Sequence, residues 1–235
     1  GIGALTAAWR VGPRRGFPGT LMPPHNLTLT AAGDGILWVG WHGFSAGSAL
    51  TANGAAGVAM LTTHIAATAG ALVWMAVEWS RFGRPTLLGL ATGMIAGLGI
   101  ISPAAGFVGP LGALAMGILA GGICFFAIHW VKRKLAIDDA LDVFPVHGVS
   151  GMIGSLLTAP LAVKALGGSG LPTGLDVLQQ VGVQGIGVLV ALGWSGAASL
   201  AILTLVDRFN GLRVGADDET EGLDLSSHNG KGYHL

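Results

Sequence analysis

Long apolar runs alternate along the chain with short polar or turn-rich connections. Six of these runs are long enough to cross a bilayer as helices, which takes about 20 mostly apolar residues. Because lipid offers the backbone no hydrogen bonds, each run is expected to be helical. The last run is also long enough to tilt or to continue beyond the membrane. The predicted spans are residues 31–50, 54–77, 86–107, 109–131, 142–163 and 178–206.

The composition fits an integral membrane protein. Of 235 residues, 51% are hydrophobic and 10% are charged, whereas a soluble domain carries about 25% charged residues. The 41 glycines are typical of membrane helices. A formal net charge of zero gives no argument for nucleic acid binding, and a single cysteine, Cys124, excludes an internal disulfide and a cysteine-based metal site. We expect no cofactor.

The basic residues favour one side of the predicted membrane domain. Every Lys and Arg except Lys164 lies before the first full span or in the connections after the second, fourth and last spans. The positive-inside rule makes that side cytoplasmic. The sequence therefore predicts a multi-pass protein of the cell membrane, with a membrane domain over residues 10–208 and a cytoplasmic tail over residues 209–235.

Residues 1–9, GIGALTAAW, are apolar but too short to cross a bilayer core. We interpret them as the end of a severed transmembrane helix, which makes the chain the C-terminal part of something longer. The alternative is a re-entrant or interfacial segment.

Small residues recur at every fourth position along two neighbouring spans. This spacing places them on one helix face, where a second helix can approach closely. The pattern predicts a tightly packed bundle. The positions are Gly89, Gly93 and Gly97 in the third span and Ala113, Gly117 and Gly121 in the fourth.

The fifth span carries a histidine, His147, eight residues after Asp139. If Asp139 lies at the cytoplasmic boundary, the helical rise puts His147 about 12 Å deeper, near the middle of the membrane. An ionisable group there is expected to face the bundle interior or a pore. Asp142 is expected to cap the helix start. The alternative is a histidine that makes one hydrogen bond to a neighbouring helix.

The first full span contains ILWVGWHGFSAGSAL, residues 36–50. Trp41 and Phe44 are three residues apart and share a helix face, which Ser48 continues. Aromatic faces attract small cations, and a serine hydroxyl adds an acceptor. These residues therefore form a candidate cation site at the outer mouth, unless they are ordinary core aromatics.

Other polar residues within the spans receive structural interpretations. His64 in the second span has threonines nearby that can satisfy its ring. Glu78 and Arg81, near the end of the same span, are expected to form an ion pair at the membrane interface.

Three stretches together resemble the ammonium transporter (Amt/Mep/Rh) family, and the resemblance covers essentially the whole chain. They are GWHGFSAGSALTANG, DDALDVFPVHGVSG and LRVGADDETEGLDLSSH. The family fold has eleven spans, arranged as two inverted halves of five helices and a final long helix. This chain would supply the end of the fifth span, the second half and the last helix. The resemblance also implies a homotrimer and a PII-type signalling protein as a possible partner on the cytoplasmic face.

The resemblance assigns roles to individual residues. His147 matches the second of two histidines that share a hydrogen bond at the pore centre, and Asp139 matches an aspartate that organises the helix start. Trp41 and Phe44 match pore-wall and gate aromatics, and Ser48 matches the serine of an outer ammonium site. The implied mechanism is deprotonation of ammonium at the outer site and passage of the neutral amine past the gate to the histidine pair. The first histidine of the pair would lie upstream of this sequence.

Three other functions remain open from the sequence. The same fold serves in ammonium sensors, and the chain could also be a non-conducting half-channel that needs a partner chain. A membrane enzyme using His147 and Asp142 as acid and base is the third. The sequence offers it no nucleophile, metal cluster or phosphate loop, so we expect a protein that is not an enzyme.

Overall fold

The computed structural model describes residues 1–20 and 22–230, and over this range it is all-helical with no β-strand. The predicted cytoplasmic Lys231 lies outside the described residues. A π-helical turn, Phe144–Val149, leads directly into the helix Ser150–Leu161, and a 3₁₀ turn, Lys164–Leu166, follows that helix. The α-helices are α1 Ile2–Val11, α2 Leu27–Gly47, α3 Gly54–Phe82, α4 Leu87–Ile101, α5 Pro110–Arg133, α6 Ser150–Leu161, α7 Val177–Asn210, α8 Ala216–Glu221 and α9 Leu223–Ser226.

Polar side chains fix the starts of four long helices. In each case the residue before the helix accepts a hydrogen bond from the backbone N–H three positions later, which satisfies one of the free donors of the first turn. Asp176 and Gln179 form a reciprocal capping box at the start of α7. The capping residues are Asn26, Asn53, Thr86 and Asp176.

The core of the bundle is the packing of α3, α4 and α5, and the stripes of small residues lie in it. A Cβ atom added at Gly97 of α4 or at Gly117 of α5 would fall well inside contact distance of the same carbonyl oxygen, that of Ala66 in α3. Such close approach is possible only where a helix has no side chain. The predicted packing role of these positions is confirmed.

Two long helices flank this core. α2 packs on α3 and α4, and α7 packs on α1 and α6. None of the 34 residues of α7 is buried, and its apolar side chains face outward. The faces of α2 and α7 that point away from the core are therefore apolar surface.

By length and composition, three described helices are apolar enough to cross a bilayer, namely α3, α5 and α7. α4 is apolar but has 15 residues. It ends at Ile101, earlier than the predicted end at residue 107, because the residue before Pro103 is disfavoured in a helix and the chain continues as turns. Six full spans therefore remain a prediction.

Several basic residues meet at one end of the bundle. Arg14 holds the buried Asp138 through two side-chain hydrogen bonds of 2.8 Å, and the Arg14 backbone N–H donates to the same carboxylate. The hydrogen bonds from the Arg14 guanidinium lower the pKa of the Asp138 carboxyl below its usual value. Arg10 pairs with Asp207, near the end of α7, at 2.8 Å. The end of α1 is thus tied to α7, and the segment after α1 is tied to the α5–α6 connection.

Candidate functional site

A cavity of about 540 Å³ lies between α2, the end of α4 and the π-helical turn. It contains all four residues predicted to bind substrate or line a pore. Trp41, Phe44 and Ser48 come from α2 and the residue after it, and His147 comes from the π-helical turn. Its other lining residues are Gly99, Ser102, Pro103, Gly151 and Ser155.

Trp41 is the centre of the contacts in this cavity. Its indole stacks on the imidazole of His147, with ring centroids 6.1 Å apart and planes at 14°. The edge of the Phe44 ring faces the indole, with ring centroids 6.1 Å apart and planes at 75°. Its Nε1–H donates a 2.9 Å hydrogen bond to the hydroxyl oxygen of Ser102, which in turn donates to the Leu98 carbonyl at 2.8 Å. The indole is therefore held from three sides.

Ser102 was not predicted from the sequence as a site residue. It directly precedes Pro103, in a stretch that is apolar apart from this hydroxyl. A lone serine before proline at a helix end signals a turn, and only the packing of α2 against α4 shows that its hydroxyl reaches the indole.

The π-helical turn positions His147 and gives the backbone a wider local path, which is common at functional sites. Asp139 secures the start of this turn. Its carboxylate oxygens accept hydrogen bonds from the N–H groups of Val143, at 3.0 Å, and Phe144, at 2.7 Å. Pro145 lies in the first turn, where an N–H has no helical partner.

The expectation that Asp142 caps this helix start is wrong, because Asp139 accepts the hydrogen bonds of the first turn. Asp142 adopts a left-handed backbone conformation, with φ of 56°, and the N–H groups of Val143 and Phe144 donate to Asp139 instead. Lys132 Nζ lies 2.7 Å from its Oδ1. Asp142 therefore links the start of the His147 segment to the end of α5.

The part of the cavity beside Phe44 and Ser48 is open. Phe44 is 63% exposed, and Ser48 follows the end of α2. The Ser48 hydroxyl donates a 2.9 Å hydrogen bond to the Phe44 carbonyl, which leaves the lone pairs of its oxygen available as acceptors. An aromatic face and a hydroxyl acceptor therefore lie together at this mouth, which is the combination that attracts a small cation.

His64 does not use the threonines expected to satisfy it. Thr68 donates its hydroxyl hydrogen to the backbone carbonyl of His64, not to the ring. The His64 ring instead stacks on Trp38, with centroids 5.2 Å apart and planes at 12°. His42 lies 5.7 Å from it, centroid to centroid. These rings form a second aromatic cluster on α2 and α3, separate from the cavity at Trp41.

Glu78 is not paired with Arg81 as expected. Its carboxylate accepts hydrogen bonds from the Thr86 N–H at 2.7 Å and from the Thr86 hydroxyl, and Trp74 Nε1–H lies at 3.3 Å. Arg81 lies over the ring of Phe126, 4.7 Å from its centroid. The buried glutamate therefore ties α3 to the start of α4.

Among the described residues, no group of three or more His, Cys, Asp or Glu side chains could hold a metal ion. The site is instead an aromatic and imidazole cavity with hydroxyl groups, set between helices of which several are long and apolar enough for a membrane. Fold and site together define a helical membrane protein with an aromatic and imidazole cavity between its helices.

Comparison with known proteins gives the family. A sequence model described as the Ammonium Transporter Family matches residues 1–233, and the chain belongs to this family. It is 43% identical over 236 residues to an "Ammonium transporter" of Aquifex aeolicus, a match that covers 100% of this chain and 54% of the relative. It is 44% identical to an "Ammonium transporter" of Mycobacterium tuberculosis, a match that covers 99% of this chain and 50% of the relative.

Solved structures agree with this membership. A protein described as "Sensor Amt Protein" aligns with a TM-score of 0.87 at 30% identity, over 96% of this chain and 56% of the other. Mep2 of Saccharomyces cerevisiae aligns with a TM-score of 0.80 at 37% identity, over 92% of this chain and 50% of the other. The chain thus spans about half the length of the relatives that it matches.

Proposed function

We propose that the chain takes part in ammonium transport across the cell membrane and that the cavity at Trp41 is its share of the conducting path. The observation that carries this proposal is the stack of Trp41 on His147 inside a cavity that also contains Phe44 and Ser48. The proposal is further supported by relatives named as ammonium transporters.

The first step of the proposed mechanism takes place at the open mouth. Ammonium approaches the faces of Trp41 and Phe44, and one of its N–H groups donates to the hydroxyl oxygen of Ser48. A bare cation is costly in a narrow apolar path. The ion therefore transfers a proton to solvent water at the open mouth before it passes Phe44, and the neutral amine continues.

His147 receives the amine in this mechanism. A neutral imidazole has one nitrogen that donates a hydrogen bond and one that accepts, so it can hold an amine or relay a proton. Its ring is stacked under Trp41, and the turn that carries it is held by Asp139. Asp139 thus acts as a positioning residue, and Asp142 supports the same segment through Lys132.

The test replaces His147 by alanine in the complete gene product that contains this sequence. We expect altered uptake of ¹⁴C-methylammonium and altered ammonium-evoked currents in cells that lack their own ammonium transporters. His228→Ala is the matched control, because His228 is an exposed histidine beyond the last long helix. Unchanged uptake and unchanged currents in His147→Ala, at equal protein levels in the membrane, would rule the proposal out.

A sensor is the second candidate function. The observation that favours it is the TM-score of 0.87 with a structure described as "Sensor Amt Protein". A sensor binds ammonium without passing it on, so binding to the purified complete protein with no uptake by liposomes that contain it would favour this function. A half-channel that needs a partner chain is distinguished by uptake that returns only when the partner is present.

The C-terminal tail is proposed to be cytoplasmic and to contribute to assembly. Arg15 donates to the Ala216 carbonyl at 2.8 Å and to the Thr220 hydroxyl, and Arg213 holds Glu219 at 2.8 Å. These contacts place the first part of the tail beside the segment after α1. A homotrimer and a PII-type partner are proposed from the family. Equal binding of a PII protein with and without residues 214–235 would reject a role for the tail.

A further inference from the structure

A second cavity, of about 320 Å³, lies between α2, α3 and α4, away from Trp41 and His147. Its lining is apolar except for three side chains, Asp34, Trp38 and Thr68. Leu87, the first residue of α4, lies on its wall, so it occurs near the end of the bundle where α3 connects to α4. Its lining also includes Gly35, Leu72, Leu90, Ala91 and Met94.

Asp34 is the unusual residue in this cavity. It lies seven residues after the start of α2, which is about two helical turns into the helix. Its Oδ2 is buried and has no hydrogen-bond partner among the described residues, and the ion pairs found among them do not include it. An ionisable side chain within a membrane helix is costly and is by default a candidate functional group.

Trp38 lies one turn further along the same face of α2. Its Nε1–H is also buried without a hydrogen-bond partner in the described part of the chain. The indole is held in place by its stack on His64. The cavity therefore presents a carboxylate and a fixed aromatic side chain, and both attract a cation.

The cavity opens sideways. Its floor consists of buried residues such as Ala91 and Met94, whereas Leu72 and Leu87 at the rim are 53% and 46% exposed. The rim is part of the apolar outer surface of the described helices. The apolar part of a ligand therefore matches this rim.

We propose that this cavity binds a single-chain amphiphilic primary ammonium ion, with the ammonium group on Asp34 and the alkyl chain along Leu72, Leu90 and Met94. Charge complementarity fixes the headgroup, because a carboxylate without a partner favours a cation. Its volume is at the small end of the range for ligand cavities, about 300–1,000 Å³, which favours one alkyl chain over the two of a phospholipid. This site is independent of the conducting path proposed above.

The test uses the complete gene product in lipid nanodiscs and the quenching of tryptophan emission by 6-bromododecylammonium, whose bromine lies close enough to the headgroup to reach Trp38. 6-Bromododecanol, which has the same chain and no charge, corrects for partition into lipid. The Trp38→Phe variant distinguishes the emission of Trp38 from that of every other tryptophan. We expect the ammonium compound to quench Trp38 at a concentration about tenfold lower than the alcohol, which corresponds to about 1.4 kcal/mol.

Two variants decide whether the cavity is responsible. Asp34→Asn keeps the size of the side chain and removes its charge. In this variant the two compounds should quench Trp38 at equal concentrations. Gly35→Leu puts a side chain where an added Cβ meets no atom within 4 Å, so it should weaken both compounds without disturbing the fold. Gly33→Leu is the matched control, since Gly33 is equally open but does not line the cavity.

Three results would overturn the proposal. One is a preference for the ammonium compound that survives Asp34→Asn, and another is quenching that does not involve Trp38. The third comes from nanodiscs that contain brominated phosphatidylethanolamine. If that lipid quenches Trp38 in an Asp34-dependent way and excludes the dodecyl compound, the ligand is a phospholipid headgroup and not a single-chain amine.

Discussion

Replacing Asp139 by alanine is expected to destabilise the segment that carries His147. The Asp139 side chain is nearly buried, with the residue 4% exposed, and its carboxylate accepts two backbone hydrogen bonds at 2.7 and 3.0 Å. Hydrogen bonds to a charged partner contribute about 1.5–3 kcal/mol each. Two such bonds give about 3–6 kcal/mol. Water can reach the freed N–H groups near the helix start, so we expect the free energy of unfolding to fall by an amount near the lower limit, about 3 kcal/mol.

The chain offers an internal comparison. Asp176 caps α7 with a similar hydrogen bond, 2.8 Å from the Gln179 N–H, but it is exposed to solvent. Loss of an exposed cap costs about 1 kcal/mol. Asp176→Ala is therefore the matched control, with the same chemical change at a hydrated helix start. Asp139→Asn, which keeps one acceptor oxygen, is expected to fall between the two alanine variants.

The assay is reversible unfolding in mixed micelles, in which the free energy of unfolding is followed by circular dichroism as sodium dodecyl sulfate replaces the non-ionic detergent. The reasoning requires Asp139→Ala to lose clearly more free energy than Asp176→Ala. If both variants lose the same amount, burial of the Asp139 carboxylate adds nothing and the account of this turn is refuted.

Three further predictions use the same unfolding assay. Gly97→Ala should lower the free energy of unfolding by about 1–3 kcal/mol, because the added methyl group overpacks against α3. Gly122→Ala is the control, since an added Cβ there meets no atom within 4 Å, and it should be neutral or stabilising. Equal effects of the two variants would contradict the close packing. Because Arg14 lowers the pKa of Asp138, the pair stabilises the fold above the ordinary aspartate pKa of about 3.9, and this part is lost as the pH falls through the lowered pKa. Asp138→Asn should remove that acid-dependent part, and an unchanged pH profile would argue against the pair. Glu78→Gln should lower the free energy of unfolding by about 1–2 kcal/mol, because a neutral amide accepts weaker hydrogen bonds from the start of α4. An unchanged free energy would argue against a structural role for this glutamate.

The helices were largely predictable from the sequence because each apolar run must satisfy its own backbone. Glycine spacing likewise identified the faces on which α4 and α5 meet α3, since close approach needs positions without side chains. The end of α4 was missed, although Pro103 gave a signal for it. The apolar run continues past this proline, and its length alone favours a longer helix.

The candidate site was predictable only in part. Trp41, Phe44 and Ser48 share a face by helical spacing, and His147 was noted as an ionisable residue in an apolar run. Which aspartate caps the His147 segment depends on the backbone conformation at Asp142, with its φ of 56°, and spacing does not reveal this. The contacts of other polar groups depend on tertiary packing, as with the Ser102 hydroxyl on the indole and the Glu78 carboxylate on α4.

The most direct test of the central claim is ammonium-evoked current in proteoliposomes that contain the complete gene product, measured for the unchanged protein and for Trp41→Leu. Leucine keeps an apolar side chain but removes the face that stacks on His147 and the N–H that binds Ser102. The account predicts a clear current for the unchanged protein and a large loss for the variant at equal reconstitution. The same current from both proteins would contradict the claim that this cavity is part of the path.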